Sequence, residues 1–434
     1  MDTLGIIDYG SLIYVGLQRS RTAREAIKVM TELVQEYGYY SSGESFTIAD
    51  PMKYDMEMIV SPHPGAVWVA VRVPDDCISA HANQSRIHQF DMADKANCMY
   101  SNDVISFARE KGYFSGVNKD FSFADAYAPL DFGARRFCEA RVWSYFNMFT
   151  DQGEAYLPYI QGKTNDPMPL FVKPKRKLSV QDVKNAMRDH YEGTALDISN
   201  DFGAGPYKTP YRLSPLTFKV GDQEYFNERP ISTQQSGFVF VAQMRANLPD
   251  AVGGVLWFGT DDANMTVFTP VYCCTTKAPV CYTRVDGADY ITFSWNSAFW
   301  IFNWVANMVY PRYDLMIGDV RATQNELETT FNEAQEGIEA AAVKLYEKNP
   351  ETAVKFSDQV YRHDSAKVLS ILGNVWGEFI IVKYNDGVIR KDGRTGKFER
   401  NAIGQPAGVV RPGYSKEFLE EYVKQTGERY KVTE

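Results

Sequence analysis

Near the start of the chain the hydrophobic positions repeat at the spacing of an α-helix. They recur in steps of three and four and are Ala26, Met30, Leu33, Val34 and Tyr37. The segment Thr22-Ala-Arg-Glu25 before them has the form of a capping box, and Gly38 after them supplies a left-handed stop. This pattern predicts an amphipathic helix from about residue 22 to residue 37.

After this helix the hydrophobic period changes to two, which is the period of a β-strand. Four stretches with this period follow one another: ESFTIAD, YDMEMIV, GAVWVAVRV and CISAHAN. The third is apolar at nearly every position from Ala66 to Val73 except Arg72. A strand of this kind is covered on both faces, so we expect the chain to fold in layers.

Helices and strands alternate less regularly beyond residue 90. Helices are predicted at 102–111, 134–149 and 180–190, and strands at SGFVFVAQM, GGVLWFG and MTVFTPVYC, the last two joined by the turn TDDAN. From about residue 316, apolar residues alternate in steps of four and three with charges between them. We expect a core over residues 1–315 and, over residues 316–434, a helical appendage that is interrupted at Asn349-Pro350 and ends in an exposed tail.

The longest aromatic run, FSWNSAFWIFNWVANMVYP, is too polar to span a membrane. Asn296, Asn303 and Asn307 interrupt it well short of the ~20 mostly apolar residues that a span requires. Their spacing puts them on one helical face with Trp300, so the run predicts an amphipathic core helix. No membrane partner is expected.

Composition and charge narrow the classes of function. The 46 basic and 55 acidic residues give a formal net charge of −9, with the signs mixed along the chain, which disfavours nucleic acid as a partner. The six cysteines have neither zinc-site spacing nor the density of a disulfide framework. His81 and His88 are an odd number of residues apart and would face opposite sides of a strand. We expect no metal and no cofactor.

One stretch, VRVPDDCISAHANQSRIHQFD, combines the end of a strand with side chains suited to chemistry. Asn83 could donate to a developing oxyanion, and Arg86 could grip a carboxylate bidentately. The alternative is an Asx-type turn followed by a solvated arginine. A pair of Cys77 and His81 could form on one side of a strand, but the two aspartates before Cys77 would raise the thiol pKa and work against a nucleophile.

The order and spacing of several blocks resemble the bacterial cysteine dipeptidase family of the dipeptidase A type. The blocks are RSRTAREAIKVMTELVQEYGYYSSGESFTIADP, WVAVRVPDD, SAHANQSRI, VISFAREKGY, FSFADAYAP, RPIST and VAQMRANLP. Members are N-terminal nucleophile (Ntn) hydrolases, related to the bile-salt and penicillin V acylases. The resemblance covers roughly residues 1–315 and implies an α+β fold, a four-layer αββα sandwich with two antiparallel sheets between helices.

The same resemblance implies a catalytic site. In this chemistry an N-terminal cysteine attacks the scissile carbonyl, and its own α-amine, with a pKa of ~7.7–8, acts as the general base. Asn83 resembles the family asparagine that serves the oxyanion, and Arg86 is expected to meet the substrate carboxylate. Arg136 and Arg141, in ARRFCEARVW, are expected to support the nucleophile, with a surface salt bridge as their alternative.

The chain departs from the family at its front. In the family the nucleophile and the first strands precede the block that corresponds to GIIDYGSLIYVGL, and here that block begins within ten residues of Met1. We therefore expect a truncated and inactive dipeptidase, with its sandwich incomplete at the N-terminus and with no nucleophile among its own residues. An acylase of the bile-salt or penicillin V type and a non-catalytic remnant of the fold are the alternatives.

The expected partner is a short peptide substrate. The aromatic content and the resemblance are compatible with a homo-oligomer, and the compartment stays open.

Overall fold

The structure is a computed structural model that describes part of the chain. The described residues are 5–50, 53–60, 65–233, 235–371, 376, 380, 382–384, 388–389, 391–392 and 394–432, with 53–60 and 371 described by their backbone alone. Met1, on which the expected truncation depends, lies outside them. The chain divides into two compact units, Met1–Ser179 and Val180–Glu434.

The first unit alternates short helices with short strands. Its strands are β1 (Gly43–Ala49), β2 (Lys53–Val60), β3 (Ala66–Arg72), β4 (Ile78–Ser79), β5 (Cys98–Tyr100) and β6 (Phe171–Val172). Its helices are α1 (Tyr9–Arg19), α2 (Ala23–Tyr37), α3 (Ser106–Glu110), α4 (Phe123–Tyr127), α5 (Ala140–Phe149) and α6 (Gly153–Ile160). A π-helical turn, Ala134–Glu139, runs directly into α5.

Helix α2 forms where the sequence predicts it. The Thr22 side chain accepts a hydrogen bond from the Glu25 N–H at 3.2 Å, and Gly38 ends the helix at φ 68° with its N–H on the Val34 carbonyl. Ala26, Met30, Leu33 and Val34 of the predicted apolar face are buried, whereas Tyr37 at the end of the helix is exposed. Full burial of a side chain such as Ile27 contributes roughly 1.5–3 kcal/mol. The capping box and the apolar stripe together fix the position of this helix.

Four strands of the first unit form an antiparallel sheet in the order β1-β2-β3-β5. Its third strand is covered on both faces, as its apolar run predicts. Ala70 belongs to the cluster beneath α2, whereas Val69 packs with Val104 and Phe123 from the segments around α3 and α4. The strand is thus the centre of this unit's layers.

The predicted fourth strand, CISAHAN, is wrong beyond Ser79. Only β4 is extended there, and it pairs with β6 instead of joining the four-stranded sheet. The edge of β3 is already taken by β5. The carbonyl of Ala80 accepts from the Arg86 side chain at 2.9 Å, so this backbone is held by a side chain and not by a strand.

The second unit contains a smaller sheet and most of the long helices. Its strands are β7 (Thr217–Val220), β8 (Gln223–Phe226), β9 (Phe238–Met244), β10 (Gly254–Thr260), β11 (Thr269–Tyr272), β12 (Val388–Ile389) and β13 (Val409–Val410). Its helices are α7 (Val180–Ala186), α8 (Asp250–Gly253), α9 (Ala298–Val309), α10 (Tyr313–Lys348), α11 (Pro350–Ile371) and α12 (Lys416–Thr426).

The core of the second unit lies between its sheet and its helices. Strands β11-β10-β9 are antiparallel, and Trp257 of β10 is fully buried in one cluster with Phe302 of α9 and Leu327 of α10. The aromatic run is therefore a core helix, as predicted. Helix α10 ends before the predicted interruption at Asn349, and α11 starts directly after it.

The fold is mixed α and β, with small antiparallel sheets and no barrel in the part of the chain that the structure describes. This agrees with the α+β class, whereas the four-layer sandwich stays a prediction. The boundary after residue 315 also stays a prediction. The chain divides into its two compact units after residue 179, and helix α10 continues unbroken through residue 315. No helix among the described residues is both long and apolar enough for a bilayer span.

Candidate functional site

Arg86 anchors the loop that follows β4. Its side chain is 2% exposed, and its Nε lies 2.9 Å from Glu139 Oε1. Nη1 donates to the Ala80 carbonyl at 2.9 Å, and Nη2 donates to the carbonyls of Met168 at 3.2 Å and Pro169 at 3.1 Å. The guanidinium is thus directed at groups of the protein. This geometry gives no support to substrate binding by Arg86, a role that stays a prediction.

Glu139 is the acidic partner in this buried ion pair. It is the last residue of the π-helical turn, and its side chain is 3% exposed. Such turns are frequent at functional sites. Removing one member of a buried pair leaves an uncompensated charge and costs about 3–5 kcal/mol. The pair therefore fixes the loop of residues 80–86 to the π-helical turn.

The structure brings Asn83 and Arg141 together. Arg141, on α5, donates from Nη2 to Asn83 Oδ1 at 2.7 Å and from Nε to the Phe137 carbonyl at 2.6 Å. A guanidinium can only donate, so the oxygen of the Asn83 amide must face it. The NH₂ group of this exposed side chain is consequently turned the other way. An oxyanion requires a donor oriented in advance of the reaction, and this amide has that character.

Arg136 lies one element earlier than Arg141, on the π-helical turn, and is half-buried. The segment ARRFCEARVW thus carries both expected arginines on one continuous stretch of helix. Of the two arginines, Arg141 is the one that donates a hydrogen bond to Asn83, and this contact is compatible with a role in orienting the Asn83 amide. The supporting role of Arg136 stays a prediction.

Four of the six cysteines have thiol environments that disfavour the thiolate. Burial raises the pKa of Cys98 and of Cys281 to about 11. Burial also raises the pKa of Cys273, and burial followed by a hydrogen bond to Asp76 raises that of Cys77. A raised pKa leaves less of the nucleophilic thiolate. None of these four thiols is activated.

The two histidines considered for a metal are held by different parts of the first unit. His81 Nε2 lies 2.9 Å from Thr47 Oγ1 on β1, and His88 Nδ1 lies 3.2 Å from Ser122 Oγ. Among the described residues there is no group of three or more His, Cys, Asp or Glu side chains placed to hold a metal ion.

A comparison with protein families decides the affiliation of the chain. The model of peptidase family C69 matches residues 3–326. The chain belongs to this family. Within family C69, the match includes Asn83, Arg86, Arg136 and Arg141, so the loop and the helix described above lie inside the matched region.

Relatives of this family C69 chain carry dipeptidase names. A probable dipeptidase of Salmonella dublin is 28% identical over 253 residues, which are 58% of this chain and 52% of that protein. A probable dipeptidase of Latilactobacillus sakei is 28% identical over 294 residues, or 67% and 55% of the two chains. Dipeptidase A of Lactobacillus helveticus is 23% identical over 282 residues, or 64% and 52%. The chain spans about half the length of these three relatives.

Reasoning from the sequence missed Glu139 in this family C69 site. A signal for it exists, because Glu139 precedes Val142, Phe146 and Phe149 at helical spacing and so falls on their apolar stripe. A carboxylate on a buried stripe requires a cationic partner. Which cation supplies the partner depends on a contact between residues 53 positions apart, and no local pattern encodes that contact.

Proposed function

We propose that this chain is part of a dipeptidase-type peptide hydrolase that acts by acyl transfer to an N-terminal cysteine, which is none of the six cysteines of this sequence. The observation that carries the proposal is the Asn83 amide, oriented by Arg141 within a chain of peptidase family C69. The dipeptidase names of the relatives support the substrate class. The proposal includes the four-layer αββα sandwich.

In the proposed reaction the cysteine thiol loses its proton to its own α-amine and attacks the carbonyl carbon of the peptide bond. The carbonyl oxygen becomes an oxyanion, which the Asn83 NH₂ group stabilises by donating to it. The ammonium then returns the proton to the leaving amine as the C–N bond breaks. Water attacks the resulting thioester and releases the acyl product, which restores the thiol.

Arg141 contributes to this reaction through Asn83. It fixes the amide oxygen at 2.7 Å, so the donor is oriented before substrate arrives and requires no rearrangement during the reaction. It also brings a positive charge close to the developing oxyanion. Arg86 and Glu139 position the loop that carries Asn83, because their buried ion pair ties it to the π-helical turn.

The proposal is tested with Asn83→Asp, introduced into the gene at its own locus. The carboxylate retains an acceptor for Arg141 but removes the NH₂ donor, so folding is preserved and the oxyanion loses its partner. We expect kcat for a dipeptide to fall about 10²–10³-fold, or ~2.7–4 kcal/mol. Asn102→Asp, an exposed asparagine in a turn of the same unit, is the matched control and leaves kcat unchanged.

Two results would contradict the proposal. One is a native protein that hydrolyses neither dipeptides nor larger peptides. The other is an Asn83→Asp variant that retains the kcat of the control. Assaying penicillin V and a bile-salt amide beside the dipeptide separates the acylase alternative, which predicts turnover of those amides in preference to the peptide.

A further inference from the structure

The second unit carries an exposed apolar turn between β11 and α9. Asp289 and Thr292 form an antiparallel bridge in which each N–H donates to the other's carbonyl, at 3.2 and 3.4 Å, so the turn closes over two residues. Tyr290 and Ile291 occupy its tip and are 91% and 93% exposed. We call these four residues the Tyr290 turn.

The residues at this tip are unusual for a tight turn. Two-residue turns favour glycine, asparagine and aspartate, and an apolar side chain left in water forfeits the free energy of burial. Natural chains break local rules of this kind mainly at functional sites. The sequence from residue 290 to residue 311 contains no Asp, Glu, Lys, Arg or His. The tip therefore begins a stretch without charged side chains.

Aromatic side chains flank the turn. Phe293 and Trp295 are exposed, and their rings meet edge to face with centroids 4.7 Å apart. The Phe293 ring contacts Trp300 at 5.8 Å, and the Trp295 ring contacts Trp304 at 5.5 Å. Three of the chain's seven tryptophans thus lie beside this turn. Trp and Tyr are the side chains enriched where a protein meets the headgroup region of a bilayer.

The turn is held in place by its own unit. Trp300 of α9 donates from Nε1 to the Asp289 carbonyl at 3.1 Å and to the Thr292 carbonyl at 2.8 Å. The Asp289 side chain accepts from the Ile291 N–H at 3.1 Å. The tip is therefore ordered before it meets a partner, which lowers the entropic cost of binding.

The carboxylates beside the turn are occupied by neighbouring groups. Asp289 pairs with Arg284 at 3.0 Å. Asp286 accepts from Ser294 Oγ at 2.7 Å and from Asn296 Nδ2 at 2.8 Å. These local pairs leave the tip itself uncharged, so attraction to a partner would come from its apolar surface.

Shape distinguishes the possible partners. Two adjacent side chains that are more than nine-tenths exposed must project from the surface of the unit. A stable protein partner would have to match that projection over about 800 Å² on each side. A fluid bilayer adapts to a small convex tip without matching its shape, and binding then scales with the apolar area that enters it. Shape and chemistry together favour a lipid surface.

We propose that the Tyr290 turn is a membrane-contact site, at which Tyr290 and Ile291 enter the headgroup region of a zwitterionic phospholipid bilayer. The aromatic run that includes Trp300 is too polar to span a bilayer, but contact with a bilayer surface requires no span. The proposal replaces the expectation that the chain has no membrane partner. It goes beyond the proposed function, because it does not depend on the reaction.

The test measures flotation of the protein, as its native source produces it, with phosphatidylcholine vesicles. We expect Tyr290→Ala combined with Ile291→Ala to weaken partitioning about 10- to 100-fold, because the apolar area that enters the bilayer is lost. Tyr14→Ala combined with Leu17→Ala is the matched control, since these side chains of α1 are also exposed, and it leaves partitioning unchanged. Raising the salt from about 0.1 M to about 1 M should change partitioning little, because the tip is uncharged.

A second readout requires no variant. Brominated phosphatidylcholine should quench part of the tryptophan fluorescence of the unaltered protein, since Trp295 lies beside the tip. No flotation, no quenching, flotation that high salt abolishes, or flotation that the tip variant retains would each overturn the proposal. So would light scattering without vesicles, if the tip variant loses an oligomeric state of the unaltered protein, because a second copy of the chain would then cover the turn.

Discussion

Replacing Asp261 with asparagine should stabilise the protein near neutral pH. Burial, partly offset by the hydrogen bond from Asn303, raises the pKa of Asp261 from 3.8 to about 6. Between these values the folded protein retains a proton that the unfolded chain has lost. Stability therefore falls as the pH rises through this window, and the loss is complete above the folded pKa.

The size of this effect follows from the shift. Two pKa units correspond to about 3 kcal/mol of folding free energy. The NH₂ group of the asparagine takes the position of Asp261 Oδ2, which is buried and accepts no hydrogen bond among the described residues. It offsets part of the gain, because leaving a buried donor unpaired costs about 1–3 kcal/mol. We expect Asp261→Asn to be more stable by up to about 2 kcal/mol above pH ~6.5, with the difference shrinking towards pH ~4.

Urea unfolding followed by circular dichroism and by tryptophan fluorescence measures this difference at about pH 7.5 and about pH 4. Comparing the variant with the unaltered protein at both pH values separates the effect of the ionisable group from the effect of changing the side chain itself. A variant that is less stable than the unaltered protein at the higher pH would refute the reasoning. A gain in stability that is the same at both pH values would also refute it, because a cause unrelated to the charge of Asp261 would then explain the gain.

Further predictions concern the loop site, the helix cap and one buried lysine. Arg86→Met should destabilise the protein by about 3–5 kcal/mol in urea, and adding Glu139→Leu should recover much of that loss, because the uncompensated charge is then gone. Arg141→Lys should lower kcat with little change in KM, since a lysine cannot make both of the hydrogen bonds that orient Asn83; an unchanged kcat would argue against that orientation. Burial lowers the pKa of Lys184 to about 7, so Lys184→Met should raise the melting temperature at neutral pH, and by less at alkaline pH, where the lysine is neutral in both states. Thr22→Ala should cost about 1 kcal/mol of stability through loss of the cap on α2.

Local patterns predicted the elements whose causes are local. Helix α2 is fixed by the cap at Thr22 and by its apolar stripe, both of which can be read within a dozen residues. Strand β3 is fixed by its continuous apolar run, and its burial on both faces followed from that run. In these cases the residues that decide the structure are adjacent to the structure they decide.

The loop after Ser79 shows where local reasoning fails. The alternation of CISAHAN favours a strand, but β5 occupies the edge of β3 and the Arg86 side chain takes the Ala80 carbonyl. Both causes come from residues outside the pattern. The same applies to the partner of Arg86, since a sequence shows an arginine but not the carboxylate that meets it.

The candidate site was predictable in part for the same reason. Asn83 was identified from its block and its position after a strand, and the structure adds its hydrogen bond to Arg141 across 58 residues. The sequence predicted Asp261 only as part of the turn TDDAN, and the residue does lie directly after β10. Its burial and its unsatisfied oxygen depend on how α9 packs beside the end of β10, and no local signal encodes that packing.

The central claim is that the protein is a peptide hydrolase with an N-terminal cysteine nucleophile. The most direct test alkylates the native protein with iodoacetamide and follows the loss of dipeptide hydrolysis. Mass spectrometry then identifies which cysteine carries the label. The account predicts that one label, on a cysteine bearing a free α-amine, accounts for the loss and that a dipeptide protects against it. Two results would contradict it. One is hydrolysis that survives complete alkylation. The other is a loss of hydrolysis that follows the labelling of a cysteine within this sequence, namely Cys77, Cys98, Cys138, Cys273, Cys274 or Cys281.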